Sequence, residues 1–300
     1  MYKTILIMTV LFAMLISTAH ARTFQTADHR FISYTDIGHG RPIVLIHAFP
    51  TDRRLFELAR NEIEDIFHDS KIFRIISVDL WGFGQSTATD GQAIHMSDYA
   101  DEVNQLLDYL KINNAIIGGE SMGGYIALAF LEKFPNKVEG LILSGTQSIA
   151  DTEEMKAKRE ATAMDILEHG TDKFLNEFST KALSENALER TKLFLRHILE
   201  KQDKMAIASA LRGMALRSDT SHVLANSSLP ILIMAGENDI VISPEQSRNM
   251  HAIAKNSKLL IIPNGGHLVS LEQPYKWIWA IVDMFYIQNT GKNPVLYQSS

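Results

Sequence analysis

Apolar and polar positions along this chain switch between two periods. Residues 27–38 alternate and 42–48 are almost continuously apolar, with Gly38-His39-Gly40 between them. The pattern predicts a hairpin whose second strand, Ile43-Val44-Leu45-Ile46-His47, is buried. Phe73 to Val78 is a further apolar strand, ending at Asp79 and followed by the turn Trp81-Gly82-Phe83-Gly84-Gln85-Ser86. Ser97 is expected to cap a helix that places Tyr99, Val103, Leu106, Leu107 and Leu110 on one face. Ala115-Ile116-Ile117 reads as the end of a buried strand, and Tyr125 to Leu131 as a helix packed on it and stopped at Phe134-Pro135. Val138–Leu143, Pro230–Ala235 and Lys258–Ile262 complete the strands, with a helix over about 244–254.

One segment breaks the alternation of strand and helix. From 147 to 228 only helical patterns occur, at 152–169 (closed by Gly170), 172–178, 186–201 and 204–216. The expected fold is therefore α/β: a mostly parallel, doubly wound sheet with an all-helical lid inserted between two strands. The core is expected over 22–146 and 229–288, the lid over 147–228 and a flexible tail over 289–300. With hydrophobic residues at 46%, a sizeable core is expected and overall disorder is excluded.

The first 21 residues stand outside this scheme. Lys3 precedes an apolar run from Ile5 to Ile16 broken only by Thr9, and Ala19-His20-Ala21 has the small-x-small form of a cleavage site. They read as a signal peptide cut after Ala21, giving a secreted or periplasmic protein. The run is shorter than the roughly 20 residues that span a bilayer, so no stable membrane anchor is expected after cleavage. The chain has no cysteine, which removes disulfides and a lipid anchor on cysteine. Its net charge of −6 is spread without a basic block, so nucleic acid is not an expected partner.

The candidate chemistry centres on Gly119-Glu120-Ser121-Met122-Gly123, of the form G-x-S-x-G, at a strand-to-helix turn. Such a turn holds a serine exposed in a strained conformation, with glycines where strand and helix nearly touch. A serine hydroxyl needs a general base, an orienting acid and oxyanion donors. His267, in the glycine-rich loop Asn264-Gly265-Gly266-His267 after the last strand, is the candidate base; His47 is the competitor and reads as a loop-ordering residue. Asp239, directly after the strand 230–235, is the candidate acid, with Glu237 as a nearby rival. The backbone N–H groups of Met122 and Phe49 are the candidate oxyanion donors. No cofactor or metal is called for by this set.

These pieces together resemble the α/β-hydrolase superfamily, in the branch of oxoadipate enol-lactonases, small carboxylesterases and related lid-bearing hydrolases. The resemblance runs from about 30 to 285 and rests on His47-Ala48-Phe49-Pro50, Asp79 to Ser86, Gly119 to Gly124, Gly236 to Asp239 and Gly266-His267. It implies nucleophile Ser121, acid Asp239, base His267 and oxyanion donors Phe49 and Met122, in the chain order Ser, Asp, His expected for the fold. The family commonly has glycine where this chain has Ala48, which raises the question of a positive φ there. Asp79 to Ser86 is expected to be structural, and Met214, Arg217 and Asp219 to tie lid to body. Met155, Met164, Met205 and Met214 are expected in the core or around an adaptable pocket. Glu120 has no assigned role. The implied activity is hydrolysis of a small or medium ester, lactone or thioester; carbon–carbon bond hydrolysis, perhydrolysis and a slow-turnover binding module of the same fold are the alternatives.

Overall fold

The structure is a computed structural model that describes residues 21–66 and 72–291. The leader expected over 1–21 lies, apart from Ala21, outside the described residues, as does most of the expected tail. The strands are β1 (Arg22–Gln25), β2 (Phe31–Gly38), β3 (Arg41–Ile46), β4 (Phe73–Val78), β5 (Ala115–Glu120), β6 (Val138–Ser144), β7 (Ile231–Gly236) and β8 (Ser257–Ile262). They form one sheet in the order β1-β2-β4-β3-β5-β6-β7-β8. Pairing is antiparallel at β1–β2 and β2–β4 and parallel from β4 to β8.

The expected hairpin between β2 and β3 does not form. β4 lies between them, antiparallel to β2 through Tyr34↔Val78 and parallel to β3 through Ile46↔Val78. The hairpin is instead β1–β2, closed by Thr26 N donating to Arg30 O at 2.9 Å. The apolar pattern identifies strands but not neighbours. Ile43-Val44-Leu45-Ile46 is buried throughout and takes an interior place in the sheet, where two parallel partners satisfy both backbone edges. β5 and β7 are buried along their whole length for the same reason, while β8 at the edge is half exposed.

The helices are α1 (Glu57–Ile66), α2 (Met96–Tyr109), α3 (Met122–Lys133), α4 (Glu153–His169), α5 (Asp172–Lys181), α6 (Glu189–Leu199), α7 (Lys204–Ala215), α8 (Ser221–Asn226), α9 (Pro244–Ile253), α10 (Val269–Glu272) and α11 (Pro274–Val282). The packing of α2 on α3, α3 on α8 and α8 on α9 makes one layer, and α1, α10 and α11 pack together as another. Ser97 is not the cap of α2. The helix begins one residue earlier, and Asp98 reaches back to accept the N–H of His95 at 3.0 Å.

Helices α4 to α8 lie between β6 and β7. Arg217 ties them to the rest of the molecule, as expected: its guanidinium lies 4.2 Å from the Tyr125 ring centre, pairs with Asp151 at 2.8 Å and donates to Met214 O and Ile149 O. Asp151 also receives Arg159 at 2.6 Å, and these cations hold its carboxyl below the usual range against the effect of burial. Met214 is buried beside Arg159, but Met155 and Met164 are exposed, against the expectation of core or pocket positions. They fall on the outer side of α4, a helix that buries only Ala163 and Ile166.

The tightest junction is between β5, α3 and β3. A Cβ on Gly119 would lie 2.0 Å from the carbonyl of Gly123, and one on Gly123 would lie 2.0 Å from Ile46 O. Neither neighbour is a flexible side chain, so Gly123→Ala is expected to cost more than about 3 kcal/mol. Thermal unfolding checks this; an unchanged midpoint would show that strand and helix can part there without cost.

Candidate active site

β5 delivers Ser121 to the start of α3 with φ 56° and ψ −116°, a left-handed φ that a non-glycine residue adopts only when its surroundings impose it. The surroundings are specific. Ser121 N donates to Ser144 O at 2.8 Å, and Ser121 O accepts from Gly124 N at 2.9 Å and from Thr146 Oγ1 at 2.8 Å. The peptide on both sides of the serine is thus pinned by the end of β6 and the loop after it, and its hydroxyl is turned away from the strand.

Ser121, His267 and Asp239 come together although 146 residues separate the first two. His267 Nε2 lies 2.8 Å from Ser121 Oγ, and His267 Nδ1 lies 2.9 Å from Asp239 Oδ2. The other oxygen, Asp239 Oδ1, accepts the backbone N–H groups of Val241 and Ile242, each at 2.9 Å. An ionised carboxylate with these partners places the imidazole proton on Nδ1 and leaves the Nε2 lone pair facing the serine. All three residues are buried; Ser121, at 8%, is the most exposed. Asp239 and His267 meet because the loop before His267 lies directly on the end of β7, where a Cβ on Gly236 would stand 2.1 Å from Gly266 O. Glu237, the rival acid, is exposed and accepts Asn264 N on the outside of that loop.

The loop after β3 lies beside the start of α3. The Gly123–Ile46 contact sets Met122 next to His47-Ala48-Phe49. Neither Phe49 nor Met122 spends its N–H on a hydrogen bond to the described residues, and Met122, as the first helical residue, has no carbonyl one turn back. Ala48 does not have a positive φ, so alanine carries no left-handed strain there. Its carbonyl accepts from Thr51 N at 2.8 Å and from Thr51 Oγ1 at 2.7 Å.

His47 orders this loop. Its Nε2 accepts from Leu80 N at 3.2 Å, and Nδ1 donates to Ala48 O at 3.0 Å. Burial keeps it below the usual imidazole range, and the bond that Nε2 accepts requires the neutral ring. Asp79 is structural: it accepts from Arg53 N at 2.9 Å and Gln85 N at 3.0 Å and pairs closely with the Arg53 guanidinium.

Several contributors carry no sequence signal of their own. Thr146 and Ser144 hold the serine's backbone but are ordinary polar residues at the end of a strand. Glu272 accepts Gly266 N at 2.7 Å and Ser184 N at 3.0 Å, and so joins the histidine loop to the segment after α5. Leu268 N donates to Ala182 O at 2.9 Å in the same seam. Phe174 of α5 sets its ring 5.8 Å from that of Phe49. α5 thus touches the loop of Phe49, and the segment directly after α5 touches the loop of His267. Glu120 is fully buried, and desolvation pushes its carboxyl up to about 7. Among the described residues, no group of three or more histidines and carboxylates is arranged to hold a metal ion.

Comparison with known proteins agrees with this architecture. The chain is 29% identical over 261 residues to the AB hydrolase superfamily protein YisY of Bacillus subtilis, covering 84% of this chain and 94% of that one. The structure of a thermophilic esterase from Thermogutta terrifontis, malate bound, superposes with a TM-score of 0.82 at 30% identity, over 88% of this chain and 97% of the esterase. The enol-lactonase from Burkholderia xenovorans shares the fold, with a TM-score of 0.77 at 20% identity over 88% of this chain and 99% of that one. Residues 70–274 match the profile of a hydrolase family described as serine aminopeptidase, S33. The chain is a member of that family, within the α/β-hydrolase superfamily.

Proposed function

We propose that the protein is a serine hydrolase that cleaves a small or medium carboxylic ester, lactone or thioester through an acyl-enzyme on Ser121. The observation that carries this reading is the pair of contacts Ser121 Oγ–His267 Nε2 at 2.8 Å and His267 Nδ1–Asp239 Oδ2 at 2.9 Å. In the first half-reaction Ser121 Oγ attacks the acyl carbon and His267 Nε2 takes its proton. Asp239 holds the ring and stabilises the imidazolium, while its own charge is fixed by the two N–H groups of Val241 and Ile242. The N–H groups of Phe49 and Met122 receive the oxyanion. His267 then gives its proton to the leaving group, and in the second half-reaction it activates water. The 30% identity to an esterase supports the ester class.

We assign α5 to a lid over this site. Together with the segment that follows it, α5 bridges the loops of Phe49 and His267, and a cavity of about 340 Å³, lined by Thr171, Leu175, Ser179, Arg196 and Leu199 among others, lies where it meets α6. Export, with removal of residues 1–21, is proposed on the sequence of the leader alone.

Turnover of p-nitrophenyl acetate and butyrate tests the central assignment. Ser121→Ala is expected to reduce kcat by at least about a thousandfold, and equal rates for variant and wild type would end it. The wild-type rate is expected to rise with pH between 5 and 9, as the base loses its proton; a flat profile would remove histidine from that role. Phe174→Ala, which deletes an aromatic contact worth roughly 1 kcal/mol, is expected to change kcat/KM about fivefold. If kcat/KM stays the same across acyl-chain lengths, α5 is not part of the substrate path.

A further inference from the structure

Glu120 occupies an unusual place. It is the last residue of β5, directly before Ser121, and it is fully buried. Its Oε1 accepts from Ser270 N at 3.1 Å and from Ser144 Oγ at 3.2 Å, and its Oε2 is in close hydrogen-bond contact with Ser270 Oγ. Ser144 Oγ in turn accepts Trp277 Nε1 at 3.1 Å, which leaves the serine proton free for Glu120. Ser144 is also the residue whose carbonyl holds Ser121 N. Ser270 lies in α10, three residues after His267. One carboxylate thus touches the segment that pins the nucleophile and the segment that carries the proposed base.

We propose that Glu120 is a positioning residue for the base: through Ser270 it fixes the segment carrying His267, and its negative charge favours the imidazolium formed when Ser121 gives up its proton. This rests on the reading of His267 as the base.

The network tolerates both protonation states. When Glu120 is ionised, Ser270 Oγ–H donates to Oε2. When it is protonated, Oε2–H donates to Ser270 Oγ, and Oε1 keeps the Ser270 N–H and Ser144 bonds. Burial raises the carboxyl to about 7, while the Ser270 bonds and the charge of His267 act in the opposite direction. Glu120 therefore changes charge within the span of pH 5 to 9, and the acid limb of a rate profile over that span belongs to a coupled system.

The other charged groups around it are accounted for. Asp239, from the loop after β7, is bonded to His267. Glu272 of α10 is directed to Gly266 N and Ser184. β6 and α11 present Ser144 and Trp277, and Lys276 of α11 is exposed and donates to Pro263 O. α1, packed on α10, brings the buried Arg60, and the loop after β3 brings His47, held neutral.

Glu120→Gln keeps the shape and removes the charge. The readout is the rate at which a fluorophosphonate labels the protein from pH 5 to 9. In that reaction the Ser121 Oγ–P bond forms, the P–F bond breaks, fluoride leaves and His267 takes the serine proton. Without the anion the imidazolium is less favoured, so the acid limb is expected to move to lower pH and labelling at pH 8 to slow by about three- to tenfold. Thermal unfolding gives a second signature. In the folded state Glu120 holds its proton up to about 7, whereas the unfolded chain releases it near the ordinary carboxyl value of 4.5. Stability contributed by the protonated form is thus lost as pH rises between those values, and the wild type should lose ground to Glu120→Gln over that window. Ser270→Ala leaves the carboxyl but removes a donor to its ionised form, so its acid limb should move in the same direction.

A Glu120→Gln protein with the wild-type labelling rate and profile overturns the inference. If that variant does not fold, an unmoved profile in Ser270→Ala overturns it. Wild-type protein that is not labelled at all overturns the reading of Ser121, and this inference with it.

Discussion

The close approach of β5, α3 and β3 is the constraint on which the rest of the site depends. Gly119 and Gly123 allow backbone to meet backbone where a Cβ would stand 2.0 Å from a carbonyl. That contact leaves the chain too little room to enter α3 in ordinary geometry, and Ser121 takes up the difference with φ 56°. The same contact brings the loop after β3 beside the first residue of α3. One packing arrangement thus brings together Ser121 and the segments of Phe49 and Met122, whose N–H groups make no hydrogen bond among the described residues.

The chemistry gathers at the carboxyl ends of the parallel strands. β4 lies on one side of β3 and β5 on the other, so the sheet order reverses direction there and the loops diverge. In open α/β sheets this is where a crevice forms. Ser121 follows β5, Phe49 follows β3, Asp239 follows β7 and His267 follows β8. The Gly236–Gly266 contact makes the last two loops one body, so Asp239 and His267 are held in register by backbone packing as well as by their hydrogen bond. The loop of Phe49 meets α5 through Phe174, and the loop of His267 meets the segment directly after α5 through Ala182 O and through Glu272, which accepts Ser184 N.

Polar groups buried around the site divide by function. His47 and Asp79 are fully satisfied by loop backbone and side chains and serve to hold the chain. Glu120 differs because its partners lie at the end of β6, whose Ser144 carbonyl holds Ser121 N, and on α10, which begins two residues after His267. A buried carboxylate is costly unless it is well bonded, and its three donors meet that condition while linking β5, β6 and α10.

The sequence by itself determined the candidate residues and the elements that precede them. G-x-S-x-G between an apolar run and a helical pattern, Asp239 and His267 placed after later strands, and the purely helical stretch from 147 to 228 were all legible, because they depend on short-range periodicity and turn residues. Neighbour relations were not. β2 and β3 read as a hairpin, yet β4 separates them, since partner choice follows burial of whole strands, which no local window reports. Ala48 looked like a strained substitution until the backbone placed it outside the left-handed region. Ser270, Ser144 and Trp277 are unremarkable as sequence, and Glu120 had no assigned role there. Only the tertiary structure, by bringing β6, α10 and α11 against the end of β5, decided that these four side chains form one buried network beneath Ser121 and His267.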